Sequence, residues 1–375
     1  MKKNFLAYFY FILAFACFIL LRVFAGKNLD GTKAETTLDP NKSVSEIVKD
    51  DSKESVSDIP VSPIKDEQEE IKDEGDSWEE VPIDEDVWHD DFAPVAEFEN
   101  ELPRIICWGD SLTTSIDEKS AYPDVLRELS GCEVINYGVE SENAAMIAMR
   151  EGGVRVNVDS TVIPADRQMI PVFLSTESGG RVSFLEYGEG GVNPCSICGI
   201  EGRLEKLNGA YYFTRNTKGE RISVPDKTQF KTFGMNDARE GDVLVIFSGT
   251  NDMPSAKSVG NIIKLQRAML EAANCDKYVI VGLTYAGGMP EIGEVNLALQ
   301  KEYGDHFLDI RSYLLNYGIQ DAGLNMTDGD MEDLYMGEIP RSLRADYVHG
   351  NRHFYRLLAN QVYRKLQYLG YIPKE

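Results

Sequence analysis

From about residue 101 onward, short continuous apolar runs alternate with amphipathic stretches. Ile105-Ile106-Cys107-Trp108 predicts a strand over 105–108, and similar runs predict strands over 133–136, 242–248, 278–283 and 307–310. Between them, apolar residues at helical spacing predict helices near 122–129, 143–150, 258–273 and 291–303. A last helix over 351–369 repeats Phe354, Leu357, Leu358, Val362 and Leu366 on one face, a core-facing stripe. Continuous apolar strands separated by helices predict a parallel sheet with helices on both faces. Residues 152–240 break the rhythm. They are rich in glycine and β-formers, with short alternating pieces at 154–158, 181–185 and 211–213 divided by turns such as Asn208-Gly209, and they predict a small inserted β-rich subdomain. Tyr211, Tyr212 and Phe213 either fill its own core or stack on sugar rings; the core is the favoured reading.

The first 100 residues follow other patterns. Lys2 and Lys3 precede an uncharged apolar run from Phe5 to Leu21, long enough to span a bilayer as a helix. Residues 1–26 therefore predict a signal anchor, and the positive flank places the bulk of the protein outside a cell membrane as a single-pass protein. Cleavage after Ala25, releasing a secreted protein, is the alternative. Residues 27–100 hold 24 Asp and Glu against seven Lys and Arg, most of the chain's net charge of −24. With few apolar residues, such a segment cannot bury enough surface to offset chain entropy, and it predicts an acidic disordered linker. That leaves 101–375 as the folded domain. The acidity excludes nucleic acid as a partner, because phosphate contact needs clustered Lys and Arg.

Candidate chemistry starts where the first strand ends. Gly109-Asp110-Ser111-Leu112 follows the apolar run directly, a turn that lifts a serine hydroxyl off the sheet edge. Serine is a poor nucleophile without an adjacent base. Of the four histidines, His89 lies in the acidic stretch, His306 at a strand entry and His353 inside the last helix. Only His349 has a carboxylate three residues upstream in a loop-like setting, Asp346, which would fix its tautomer and stabilise the imidazolium. Acyl transfer also needs donors for an oxyanion. The Gly138 N–H in Asn136-Tyr137-Gly138 and the side-chain amide of Asn251 in Gly249-Thr250-Asn251-Asp252 both follow the ends of predicted strands. Asp252 reads as a cap for the turn or the next helix. Of six cysteines, Cys107 and Cys132 read as buried thiols. Cys195-Ser196-Ile197-Cys198 is a lone Cys-x-x-Cys, open to a local disulfide or to free thiols. No third ligand accompanies His349 and His353, so no metal is expected, and acyl transfer by a serine with a histidine base requires no organic cofactor.

Gly-Asp-Ser-Leu, an Asn-x-Gly turn, Gly-x-Asn-Asp and Asp-x-x-His before a final helix, in that order, resemble the four-block pattern of the SGNH/GDSL hydrolase family over residues 103 to 372. The resemblance implies a flavodoxin-like three-layer α/β/α fold and esterase or acylhydrolase chemistry. It implies Ser111 as nucleophile, His349 as base, Asp346 as its orienting acid, and Gly138, Asn251 and the Ser111 N–H as oxyanion donors. One departure is visible: many relatives carry further glycines after the first turn, where this chain has Glu140 and Ser141. The expected activity is an extracytoplasmic serine esterase acting on short-chain, O-acetyl esters of cell-wall or other polysaccharide. The alternatives are an O-acetyltransferase with the same triad and a non-catalytic carbohydrate-binding surface protein. The expected partners are an acylated carbohydrate or other small ester, and a membrane through the N-terminal helix.

Overall fold

A computed structural model describes residues 102–114, 121–284 and 291–374. Five parallel strands form its central sheet: β1 (Ile105–Gly109), β2 (Val134–Gly138), β12 (Val243–Phe247), β13 (Tyr278–Val281) and β14 (Phe307–Leu308), in the order β14-β13-β12-β1-β2. By rank along the chain this is 2-1-3-4-5, the flavodoxin-like order. β1 and β12 are buried at every position, which explains why they read as unbroken apolar runs.

The helices are α1 (Ser111–Thr114), α2 (Tyr122–Ser130), α3 (Ala144–Glu151), α4 (Phe233–Asp237), α5 (Val259–Ala272), α6 (Ile292–Tyr303), α7 (Ile310–Asp321), α8 (Asp328–Tyr335) and α9 (Arg352–Tyr368). The alternation of β1 separates two helical layers. Cys107 meets Tyr122 of α2, which packs on α9 with α7 beyond. Trp108, on the other face, lies under the Arg150 guanidinium of α3, which packs on α5 and through it α6.

α7 and α8 have no clear signature in the sequence. Around α7, Ile310, Leu314 and Ile319 are buried, but Tyr313, Leu315 and Tyr317 occupy the rest of its circumference and blur the stripe. α8 buries Asp330 and Asp333 and no apolar residue, so hydrophobic periodicity is blind to it; it starts instead on a capping box between Thr327 and Asp330.

Between α3 and β12 the chain forms β3 (Val156–Val158), β4 (Thr161–Ile163), β5 (Ile170–Val172), β6 (Leu174–Thr176), β7 (Cys195–Ile197), β8 (Ile200–Leu207), β9 (Ala210–Arg215), β10 (Ile222–Val224) and β11 (Thr228–Lys231). Seven pair antiparallel in the order β5-β9-β8-β7-β11-β3-β6, and β10 pairs with β4. This segment has its own apolar cluster, including Phe184, Phe213, Phe230 and Leu204. Tyr211 is buried too, its hydroxyl donating to the Val182 and Phe184 carbonyls at 3.1 and 2.9 Å, and Tyr212 is half-buried. All five described cysteines are free thiols, Cys195 and Cys198 among them.

The anchor expected over 1–26 and the linker over 27–100 lie outside the described residues. The membrane localisation inferred from them is corrected: among the described residues no helix is long and apolar enough to cross a membrane. The longest described helix, α9, carries Arg352, Arg356, Arg364 and Lys365 and buries only one face.

A cavity of about 1250 Å³ runs along the amino ends of β1, β12 and β13, lined by Arg104, Trp108, Leu244 and Glu151, among others. The Glu151 carboxylate accepts one hydrogen bond, from the Gly153 N–H at 3.0 Å, and burial pushes its pKa up to about 8. Between the ordinary carboxyl value and pH 8 the unfolded chain releases this proton while the folded chain keeps it. The stability contributed by Glu151 therefore falls as pH rises across that window and is flat above it. Glu151→Gln should raise the melting temperature at pH 8 and have little effect at pH 5, as measured by thermal denaturation at both values.

Candidate active site

The carboxyl edge of the parallel sheet gathers the candidate residues. In doubly wound sheets ligands bind outside the carboxyl ends of the strands, at the point where the winding reverses. That point lies between β1 and β12, with Ser111 after one strand and Asn251 after the other. Ser111 opens the single turn α1. Asp110 holds this turn from beneath: its carbonyl accepts the N–H groups of Thr113 and Thr114 at 3.0 Å, and its carboxylate accepts that of Leu112 at 3.0 Å. Asp110 is fully buried, and desolvation pushes its pKa up to about 7 against the pull of the Leu112 hydrogen bond.

His349 Nε2 lies 2.9 Å from Ser111 Oγ, although 238 residues separate the two. Its Nδ1 lies 2.9 and 3.1 Å from the two oxygens of Asp346. Asp346 also accepts the backbone N–H groups of Val348 and His349 at 2.8 and 2.7 Å. Partial burial raises its pKa, but these bonds and the His349 ring outweigh burial and hold the carboxyl below its ordinary range. An ionised acid on Nδ1 leaves Nε2 free to accept the serine proton. His306 is remote from this group: it stacks on Tyr278 with ring centroids 4.2 Å apart and its Nδ1 lies 3.0 Å from the Tyr278 carbonyl.

The loop carrying Asp346 is braced by the acids that α8 buries. Asp330 accepts the Ser342 N–H and hydroxyl at 2.9 and 2.8 Å, and Asp333 pairs with Arg341 and Arg344, each at 2.8 Å. Asn351 then caps α9, its side chain accepting the N–H of His353 at 2.9 Å while its amide donates to the Ser342 carbonyl at 2.8 Å.

Of the expected oxyanion donors, Asn251 is exposed, and its Nδ2 donates one hydrogen to the Glu142 carbonyl at 2.9 Å. The second amide hydrogen is unengaged among the described residues. The Gly138 N–H donates to the Asn136 side-chain oxygen at 2.8 Å. Glycine is required there for close approach, because a Cβ would stand 2.4 Å from the Thr114 nitrogen. Ser141 is exposed and takes a left-handed φ of 60°. Asp252 is a cap, as expected, but across the site: its carboxylate accepts the Ala144 N–H of α3 at 2.8 Å.

Sheet order, serine turn and histidine–aspartate loop together define an SGNH/GDSL hydrolase-like fold. Two solved structures are similar to this chain. One is a member of the lipolytic protein G-D-S-L family from Veillonella parvula, with 14% identity, a TM-score of 0.36 and coverage of 70% of this chain and 96% of its own. The other is a protein assigned to the same family from Desulfitobacterium hafniense, with 15% identity, a TM-score of 0.35 and coverage of 70% and 99%. No protein-family model matches the chain, and no curated protein matches it.

Proposed function

We propose that the protein is a serine esterase that removes short acyl groups from polar alcohols, with acylated carbohydrate as the substrate class. The observation that carries this reading is the continuous relay from Ser111 Oγ through His349 to Asp346, each step 2.9 Å. Ser111 Oγ attacks the ester carbonyl while its proton passes to His349 Nε2. The oxyanion is held by the Ser111 N–H and the unengaged hydrogen of Asn251, with the Ser141 amide as the third candidate donor. Collapse of the tetrahedral adduct expels the alcohol, which takes the proton from His349. Water, deprotonated by the same nitrogen, then attacks the acyl-serine and releases the acid. A polar rim that includes Glu140, Ser141 and Asn251, all exposed, suits a hydroxylated alcohol moiety.

The test is hydrolysis of p-nitrophenyl acetate, butyrate and octanoate. Activity on acetate that falls by about tenfold or more on octanoate is the expected result. A preference for octanoate would overturn the short-acyl reading. Acyl transfer to an added sugar in place of hydrolysis would make the same triad that of an O-acetyltransferase.

A further inference from the structure

Arg150, near the end of α3, is fully buried, and all five N–H groups of its guanidinium are engaged. Nε donates to Glu142 at 2.7 Å, and Nη2 pairs with the same carboxylate at 2.6 Å. Nη1 donates to the Tyr137 carbonyl at 2.9 Å and to the Gly190 carbonyl, and Nη2 reaches the Gly109 carbonyl at 3.4 Å. Gly109 ends β1 two residues before Ser111, and Tyr137 is the next-to-last residue of β2. Glu142, the ion-pair partner, is the residue whose backbone carbonyl orients the Asn251 amide. One cation thus ties together the ends of β1 and β2 and, through Glu142, the amide that follows β12.

The fifth bond comes from the inserted β region. Its loop Gly188-Glu189-Gly190-Gly191 lies against the turn after β2. A Cβ on Gly190 would stand 2.2 Å from Val139 Cγ2 and 2.7 Å from Arg150 Nη1, and one on Gly191 would stand 2.9 Å from the Tyr137 ring. Side chains in this loop would push its carbonyl off the guanidinium.

A buried ion pair is poor value as a source of stability, because desolvating both charges offsets most of their attraction. Its geometric consequence is larger: a planar five-donor fork sets the relative positions of several carbonyls, which a lysine ammonium cannot do. We propose that Arg150 and Glu142 are positioning residues for the Asn251 amide of the oxyanion site, and that the inserted region acts on catalysis through the Gly190 carbonyl that completes their network. The inference rests on the esterase reading, with Asn251 as an oxyanion donor.

The experiment measures kcat, KM and inhibition by a phenylboronic acid, whose serine adduct mimics the tetrahedral oxyanion. The variants are Arg150→Lys, Glu142→Gln and Gly190→Ala, each alone and combined with Asn251→Ala. A misplacement of about 1 Å at a reacting centre costs up to about 100-fold. The expected result is a kcat loss of about tenfold or more with KM within about twofold, and boronate inhibition weakened in parallel. In the Asn251→Ala background the same substitutions should cost less than about twofold, since the group they position is gone. A general loss of packing would cost the same in both backgrounds. Folded variants with wild-type kcat, or equal losses with and without Asn251, would overturn the proposal. If Arg150→Lys does not fold, Glu142→Gln, which keeps the shape of the pair, carries the test. A wild-type protein without Ser111-dependent turnover would overturn the esterase reading itself, and this inference with it.

Discussion

Ser111→Ala should lower kcat on p-nitrophenyl acetate by at least about 10⁴-fold, to the residue of catalysis that binding and oxyanion donors supply without a nucleophile. The fold should survive. Ser111 Oγ has one hydrogen-bond partner among the described residues, His349 Nε2, and the turn is held by Asp110 and not by the serine hydroxyl. Circular dichroism of the variant should therefore match the wild type. His349→Ala should cost about as much, and the double variant little more than either, because nucleophile and base act as one unit. Additive losses would mean that the 2.9 Å contact between them is not a working proton path. Turnover near the wild-type rate in Ser111→Ala would remove the esterase reading altogether.

Asn251→Ala should lower kcat by about 100- to 1000-fold with KM changed far less, the signature of a donor whose bond strengthens as charge develops on the oxygen. The residue is exposed and its one engaged hydrogen goes to the Glu142 carbonyl, so truncation leaves no buried charge and the fold should persist. Asn251→Asp is the sharper control. It replaces the donor by an acceptor carrying negative charge and should be at least as inactive as alanine. Equal losses in kcat/KM from a raised KM alone would make Asn251 a ground-state binding group. Gly138, whose amide donates to Asn136, is expected to matter for packing against Thr114.

Much of this site is written in short stretches of chain. The serine turn, the Gly-x-Asn turn and the Asp-x-x-His loop each follow from residues within about four positions of one another. The apolar run before the first two places them at strand ends. The sheet itself is equally local in origin: β1 and β12 are apolar at every position because both faces are covered. Asp346 and His349 could be paired by spacing alone, since an Asx-type turn brings the carboxylate back onto the ring three residues later.

What the tertiary structure alone decided has a common physical basis: partners distant in sequence, brought together by strand register. β1 pairs in register with both β2 and β12, which carries the ends of three strands to one edge and makes neighbours of Asn251 and Glu142, Asp252 and Ala144, and Arg150 and Gly109. Local sequence marks Gly138 as a turn glycine but not where its N–H points, which depends on the Asn136 side chain. α8 stayed hidden because it buries carboxylates for the loop of Asp346, and hydrophobic periodicity cannot report a helix whose inner face is charged. Composition thus determined which residues could do chemistry here, and the register of the parallel sheet decided which of them meet.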